Sequence, residues 1–421
     1  MNRMNERTTM RYDVLVIGVG PAGLMAAIAA SKTAAQKKSA RVLVLEKNDS
    51  PAKKLLISGS GRCNITHAGP ISDFLLHYGN KHRFVKPALY HFTNDHLRDF
   101  MARRGLPLKE LGDGKLFPVT ESSRDVLNVF LQVCRQHKVE IRYSVPVEMV
   151  SICDDGFYIQ TDEVSFVAKN LIIATGGKSY PTTGSTGDGY IFARNLGHTI
   201  TELAPALTPV RIRDYPFAGC AGAAFENIPV TVLRNVKKIA ENSGDVLLTH
   251  HGFSGPGILD LSRSIQTGDT LKLSFVPGTT PDQFENILLQ KTANQGKKTI
   301  RNILAPEFVP QRFAGAILKQ SAMDENLTGA ELDRTSRKSL VRIMTEATFT
   351  VAALGGFHEA MVTSGGVAIS EVNRNTMESR LVPGLFFCGE VLDIDGDTGG
   401  YNLQFAFSSG TLAGESIRLA H

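Results

Sequence analysis

Cysteine is scarce in this chain, and none of it is paired in sequence. Cys63, Cys134, Cys153, Cys220 and Cys388 show no CxxC or CxxxxC spacing. An odd, scattered set excludes a disulfide framework, a cysteine-bound metal cluster and a redox-active dithiol. It points to a reducing compartment, so a cytoplasmic protein is expected. No uninterrupted apolar run approaches the roughly 20 residues of a membrane-crossing helix. Met1–Arg11 is polar with no apolar centre, so it does not read as a signal peptide. Long runs of Lys and Arg are also missing. The net charge of +5 suits an anionic small ligand but gives no reason to expect a nucleic-acid partner. Nothing in the sequence indicates an oligomeric state.

What is present is enough apolar residue to build cores: 42% of 421 residues, a length suited to two or three domains. The densest information lies at Val14-Leu-Val-Ile-Gly18-Val-Gly20-Pro-Ala-Gly23-Leu-Met-Ala-Ala. This β-type run ends in a glycine turn and opens straight into an alanine-rich helix. Only glycine permits the tight turn, the approach of a pyrophosphate and the close strand–helix packing of a dinucleotide site. The helix N-terminus then offers N–H groups and partial positive charge to phosphates. A second apolar run, Arg41–Leu45, ends in Glu46, which lies 23 positions after Gly23. That is close to the spacing of a carboxylate that binds a ribose hydroxyl.

The pattern beyond this unit is alternating. Helices are predicted at 94–105 and 122–138, and Val139 to Val167 reads as a β-meander with Asp154-Asp155-Gly156 as a turn. A buried strand at Leu171–Ala174 ends in Thr175-Gly176-Gly177, a second turn that either lies beneath the same ligand or only ends the strand. Residues 200–280 are β-rich and 281–350 mostly helical. The α/β pattern returns in 351–421, with a strand at Leu385–Cys388 and a helix from Asn402 to Leu419. The expected organisation is an α/β, doubly wound nucleotide-binding domain in two pieces, 1–199 and 351–421, around an insert.

Three further segments carry chemistry. Lys53 to Asn64 mixes glycines with cations, and Lys54 and Arg62 can neutralise phosphate while Asn64 adds amide donors. Gly389-Glu390-Val-Leu-Asp393 leads to Gly399-Gly400-Tyr401-Asn402-Leu403. There Asp393 can accept from ribityl hydroxyls, and a helix N-terminus can stabilise charge on a reduced flavin. Asp393, Asp395 and Asp397 alternate as in a calcium loop, but the twelfth position is Gln404 rather than glutamate, so no metal is expected. His250 and His251 read chiefly as structural, and His251 is the one acid–base candidate.

With these residues in view, the chain resembles a bacterial family of NAD(P)/FAD-dependent oxidoreductases that includes three-domain, aminoacetone oxidase-like flavoproteins. The resemblance rests on GVGPAGLMAA (18–27), KKLLISGSGRCNIT (53–66), LLTHHGFSGPGIL (247–259), TSGGV (363–367) and GEVLDIDGDTGGYNLQFAFSSG (389–410). It implies a glutathione-reductase-like FAD domain interrupted by a β-barrel-like part and a helical subdomain. It further implies that Gly18, Gly20 and Gly23 meet the pyrophosphate and Glu46 the adenosine ribose, with Lys47 also in the cofactor site. Lys54, Gly61, Arg62, Cys63 and Asn64 then line the path to the flavin. Val147 meets adenine, and Thr175, Gly176, Gly389, Glu390, Asp393, Gly400, Asn402 and Leu403 complete the site. No second GxGxxG unit is visible, so a nicotinamide (NADH or NADPH) is expected only as a transient donor. The expected activity is hydride transfer between flavin N5 and a small organic substrate. The alternatives are reduction of an enoate or enone C=C bond, or a flavoprotein that modifies or binds RNA.

Overall fold

A computed structural model describes residues 9–35 and 40–418 of the chain. It divides into two compact units, one formed by the residues up to Pro205 together with those from Met361, the other by Ala206–Ala360. None of the described helices is long and apolar enough to cross a membrane.

The first unit opens with strand β1 (Thr9–Ile17), helix α1 (Pro21–Ala35) and strand β2 (Val42–Leu45). Val14–Ile17 and Val42–Leu45 are buried on both faces, as continuous apolar runs in a parallel sheet must be. Helices α2 (Asn94–Ala102) and α3 (Ser123–Gln136) follow. In α3, Val126, Leu127, Val129, Phe130 and Val133 bury one stripe, and the Ser122 side chain caps the N-terminus by accepting from Asp125 N. Strand β3 (Glu140–Arg142) pairs parallel to β2. The stretch expected to be one meander is therefore split. Its first residues return from α3 as a parallel edge strand, and only β4 (Val147–Cys153), β5 (Gly156–Thr161) and β6 (Ser165–Ile173) form the antiparallel meander. β6 lies parallel to β1.

The second unit is a closed six-stranded barrel with helices. Strands β7 (Val210–Ile212), β8 (Ala224–Arg234), β9 (Lys237–Leu248), β10 (Gly252–Ser254), β11 (Thr270–Leu273) and β12 (Ala347–Leu354) close in the order β7-β10-β9-β8-β11-β12. Helix α4 (Gln311–Gln320) sends Phe313 into the same core as Phe217, Phe225 and Phe275 of the barrel segment. Strand and helix segments here share one hydrophobic interior.

Back in the first unit, β13 (Leu385–Phe387) pairs parallel to β6. The fold is thus of the Rossmann type, a parallel core carrying an antiparallel edge. The final helix, α5 (Tyr401–Glu415), lies against α1 so closely that Gly410 and Gly414 are needed. A Cβ at either would come within 2.3 Å of the carbonyl oxygens of Ala22 and Ala26. This explains why α1 is alanine-rich all round: it is buried between a sheet on one side and a helix backbone on the other.

Candidate functional site

A cleft of about 240 Å³ opens in the first unit where β1, β2, β6 and β13 end. Gly18, Gly20, Glu46, Lys47, Lys54, Val147, Thr175, Gly176, Glu390, Asn402 and Leu403 all line it. These residues come from separate stretches of sequence: Gly18, Glu46, Val147 and Thr175 lie at strand ends, and Lys54, Asn402 and Leu403 on helices that reach the same place.

The three glycines of the first turn do different work. Gly18 has φ +106°, and a Cβ there would lie 2.5 Å from the Ala174 oxygen. At Gly23 a Cβ would lie 2.0 Å from the Gly18 oxygen, so this glycine serves strand–helix packing and does not line the cleft. Gly20 is unlike both. Apart from its own neighbours along the chain, no atom of the protein lies within 4 Å of where its Cβ would be, and its φ is not positive. Nothing in the protein's own packing requires glycine there; the open space beside it belongs to the cleft.

Glu46 is buried and oriented from both sides. One carboxylate oxygen accepts from Val19 N at 3.0 Å, the other from Asn48 N at 2.9 Å and Asn48 Nδ2 at 2.8 Å. A carboxylate has about four acceptor sites, so acceptor capacity remains for a further donor. Lys47 is held by Asp188 at 2.6 Å and by the Thr186 hydroxyl. Lys54 lies 2.8 Å from Glu390 and 2.8 Å from Ser179 Oγ. Glu390 also accepts from Ser179 Oγ at 3.0 Å and from Thr363 N at 2.9 Å. The backbone of Gly177 lies against this knot, since a Cβ there would sit 2.6 Å from a Glu390 oxygen.

The other expected residues lie off the cleft lining. Gly61 (φ +85°) ends the turn Ser58–Gly61, and the exposed Arg62 lies 3.8 Å from Glu121 with its guanidinium over the Phe117 ring. Cys63 is fully buried, and burial pushes its thiol up to about 12, so it is an inert thiol. Asn64, with its amide turned to satisfy both ends, donates to Thr66 O and accepts from Gly400 N. Gly400 (φ +97°) is needed because a Cβ would lie 2.6 Å from Thr66. Gly389 (φ +74°) donates to Ser409 Oγ at 3.0 Å. Asp393 is paired with Lys81 at 2.6 Å, and Lys81 also reaches Asp395 at 3.1 Å. His251 lies in the barrel unit, on the exposed turn between β9 and β10, where its backbone N donates to Thr249 Oγ1. Among the described residues, no group of three or more His, Cys, Asp or Glu side chains is placed to hold a metal ion.

Sequence reasoning missed Asn48, Ser185, Asp188, Met361 and Val362, all of which line the cleft. Asn48 had a signal, a short amide two residues after the acid, placed to fix its carboxylate. Met361 and Val362 precede a glycine pair at 365–366, but the fold alone reveals that their strand reaches the cleft.

Comparison with known proteins follows the same lines. Residues 12–416 match the family described as HI0933-like protein Rossmann domain. The 3-dehydro-bile acid delta(4,6)-reductase of Clostridium scindens is 32% identical over 407 residues, covering 95% of this chain and 98% of that protein. The ribosomal RNA dihydrouridine synthase of Escherichia coli is 30% identical over 400 residues, covering 95% of this chain and 96% of that protein. Among solved structures, 3-ketosteroid delta1-dehydrogenase from Sterolibacterium denitrificans shares the fold, with a TM-score of 0.50 and 11% identity over 96% of this chain and 98% of that one.

Proposed function

The chain belongs to the HI0933-like Rossmann-domain family, an oxidoreductase family, and on that premise we propose that it binds FAD in the cleft and reduces a carbonyl-conjugated C=C bond of a small organic molecule. The observation that carries the cofactor half is the vacant side-chain position at Gly20, a glycine the protein does not need for itself, at the start of α1. A pyrophosphate against that backbone explains the residue. The buried carboxylate of Glu46, with acceptor capacity left, suits a ribose hydroxyl beyond it. The residues present therefore fit the group.

When bound, the flavin supplies hydride chemistry at N5. The chain's residues bind and orient. The α1 N-terminus and the Gly18–Gly20 turn take the phosphates, and Glu46 fixes the ribose. Lys54 is held by Glu390 as a fixed positive charge in the cleft wall. NADH or NADPH serves as a transient donor. Direction and substrate class are supported by the relatives' names. One is a delta(4,6)-reductase and one makes dihydrouridine, which is uridine with a C=C bond saturated.

The test is a visible spectrum of freshly purified protein, followed anaerobically. We expect a yellow protein, bleached by NADH or NADPH and reoxidised by an enone. Colourless folded protein that takes up no added FAD overturns the cofactor assignment. Reoxidation by uridine-containing RNA but by no enone would favour the second reading, the same reduction on a nucleobase, which the Escherichia coli relative supports.

A further inference from the structure

A second concavity, of about 720 Å³, lies in the first unit among α1, α2 and α3. Its floor is Phe100 and Val133, with the half-buried Phe92 at the rim. Lys32 near the end of α1, Arg103 and Arg104 just after α2, and the amides of Gln132 and Gln136 on α3 surround it. The cations and amides are dispersed along the sequence, which is why no basic run announces the patch. Lys32 lies eleven residues along α1 from Pro21, roughly 16 Å from the glycine turn at 1.5 Å per residue, so the groove is separate from the cleft.

The charges are unbalanced. Asp99 is the one carboxylate in the lining, 3.8 Å from Arg103. Glu415, which feels Lys32, is hydrogen-bonded to His91. Arg104 lays its guanidinium on the Phe100 ring at 3.7 Å and donates to Phe100 O at 2.7 Å, so one of its five N–H donors is used there and its face is fixed. The neighbouring His137 is held below its ordinary range, by burial first and then by Lys32 and Arg104. A planar cation on an aromatic floor, two amides and a lining of three cations to one carboxylate form a surface for phosphates with bases between them, rather than for a flat bilayer.

We propose that this groove binds a single-stranded RNA segment, its phosphates on Lys32, Arg103 and Arg104 and its bases against Phe92 and the Gln132 and Gln136 amides. The site is a binding site only, and its test needs no turnover, so it stands or falls apart from the reading of the cleft.

The experiment is fluorescence anisotropy of a labelled oligouridylate with the full chain as purified, at several salt concentrations. Lys32→Glu/Arg103→Glu is expected to weaken binding by at least about tenfold. It is also expected to flatten the salt dependence by about 1.4, at about 0.7 for each phosphate that is no longer neutralised. Arg104→Gln, which keeps the stem on Phe100, is expected to weaken binding as well. Lys297→Glu/Lys298→Glu, exposed in the barrel unit, is expected to leave it unchanged. Far-ultraviolet circular dichroism reports the fold of each variant. No binding at low salt, equal binding by all variants, or displacement by AMP at equal nucleotide concentration overturns the proposal.

Discussion

In the barrel unit a cluster of rings sits within an otherwise aliphatic core. Phe313 lies 4.6 Å from Phe217, 4.8 Å from Phe225 and 4.7 Å from Phe275, centroid to centroid, and Phe253 adds an edge against Phe349 at 4.9 Å. In the sheet unit the decisive contacts are made by residues with almost no side chain: Gly23 on Gly18, Gly410 on Ala22, Gly414 on Ala26. Rings fill volume and pack edge to face. Glycine contacts bring backbones together and leave polar N–H and C=O groups at a surface a ligand can use. The dinucleotide-type cleft lies in the unit built the second way.

Five substitutions would break or sharpen that contrast. Phe313→Ala, deep among the rings, is expected to cost about 3–5 kcal/mol, read as a lower denaturation midpoint. A cost below about 1 kcal/mol would mean the ring cluster is not what holds the barrel together. Next is the pair Gly20→Val and Gly23→Ala. The first should leave the melting temperature of flavin-free protein unchanged and weaken FAD by about 100-fold, about 2.7 kcal/mol. The second should lower the melting temperature, because its Cβ meets the Gly18 oxygen. Equal damage to folding from both would erase the distinction between packing glycine and ligand glycine. Glu46→Gln is expected to weaken FAD by about 1–3 kcal/mol, and titration of stripped protein with FAD measures it.

The smallest effect is electrostatic. His91 lies 2.8 Å from Glu415. That hydrogen bond raises the imidazole above its usual 6.5, and it lowers the carboxyl below its usual 4.5. The raised histidine contributes below about pH 6.5 and loses its contribution as pH rises through the folded value. The lowered glutamate contributes above about pH 4.5 and loses its contribution as pH falls. Both charges are therefore present, and the pair is worth most, between those limits. Each side chain is about 40% exposed, so solvent screening reduces the gain to about 0.2–1 kcal/mol. His91→Ala should lower stability at pH 5.5 and have little effect at pH 8, and a pH-independent loss would assign the effect to packing.

The contrast also decides what the sequence made legible. Gly18, Gly20 and Glu46 were readable because turn, close approach and charge restrict the residue type at fixed spacing. The strands of the parallel sheet were readable as unbroken apolar runs. The loop Lys53–Asn64 was legible only in part: Lys54 lines the cleft with Glu390 as its partner, whereas Arg62 lies off it beside Glu121, and both partners are far away in sequence. Pairings of that range leave no local pattern. Neither does the cationic groove, whose members are assembled from three helices. Asp393, read as a hydroxyl acceptor, holds Lys81 from a segment that carried no signal at all.

One contact has a bearing on how the protein is made. Gly410 and Gly414 cover α1, yet they are synthesised long after Ala22 and Ala26. Until nearly four hundred further residues have been translated, α1 stands bare on one flank. Ribosome-bound chains arrested before Tyr401 are therefore expected to take up no flavin, so loading follows synthesis rather than guiding it.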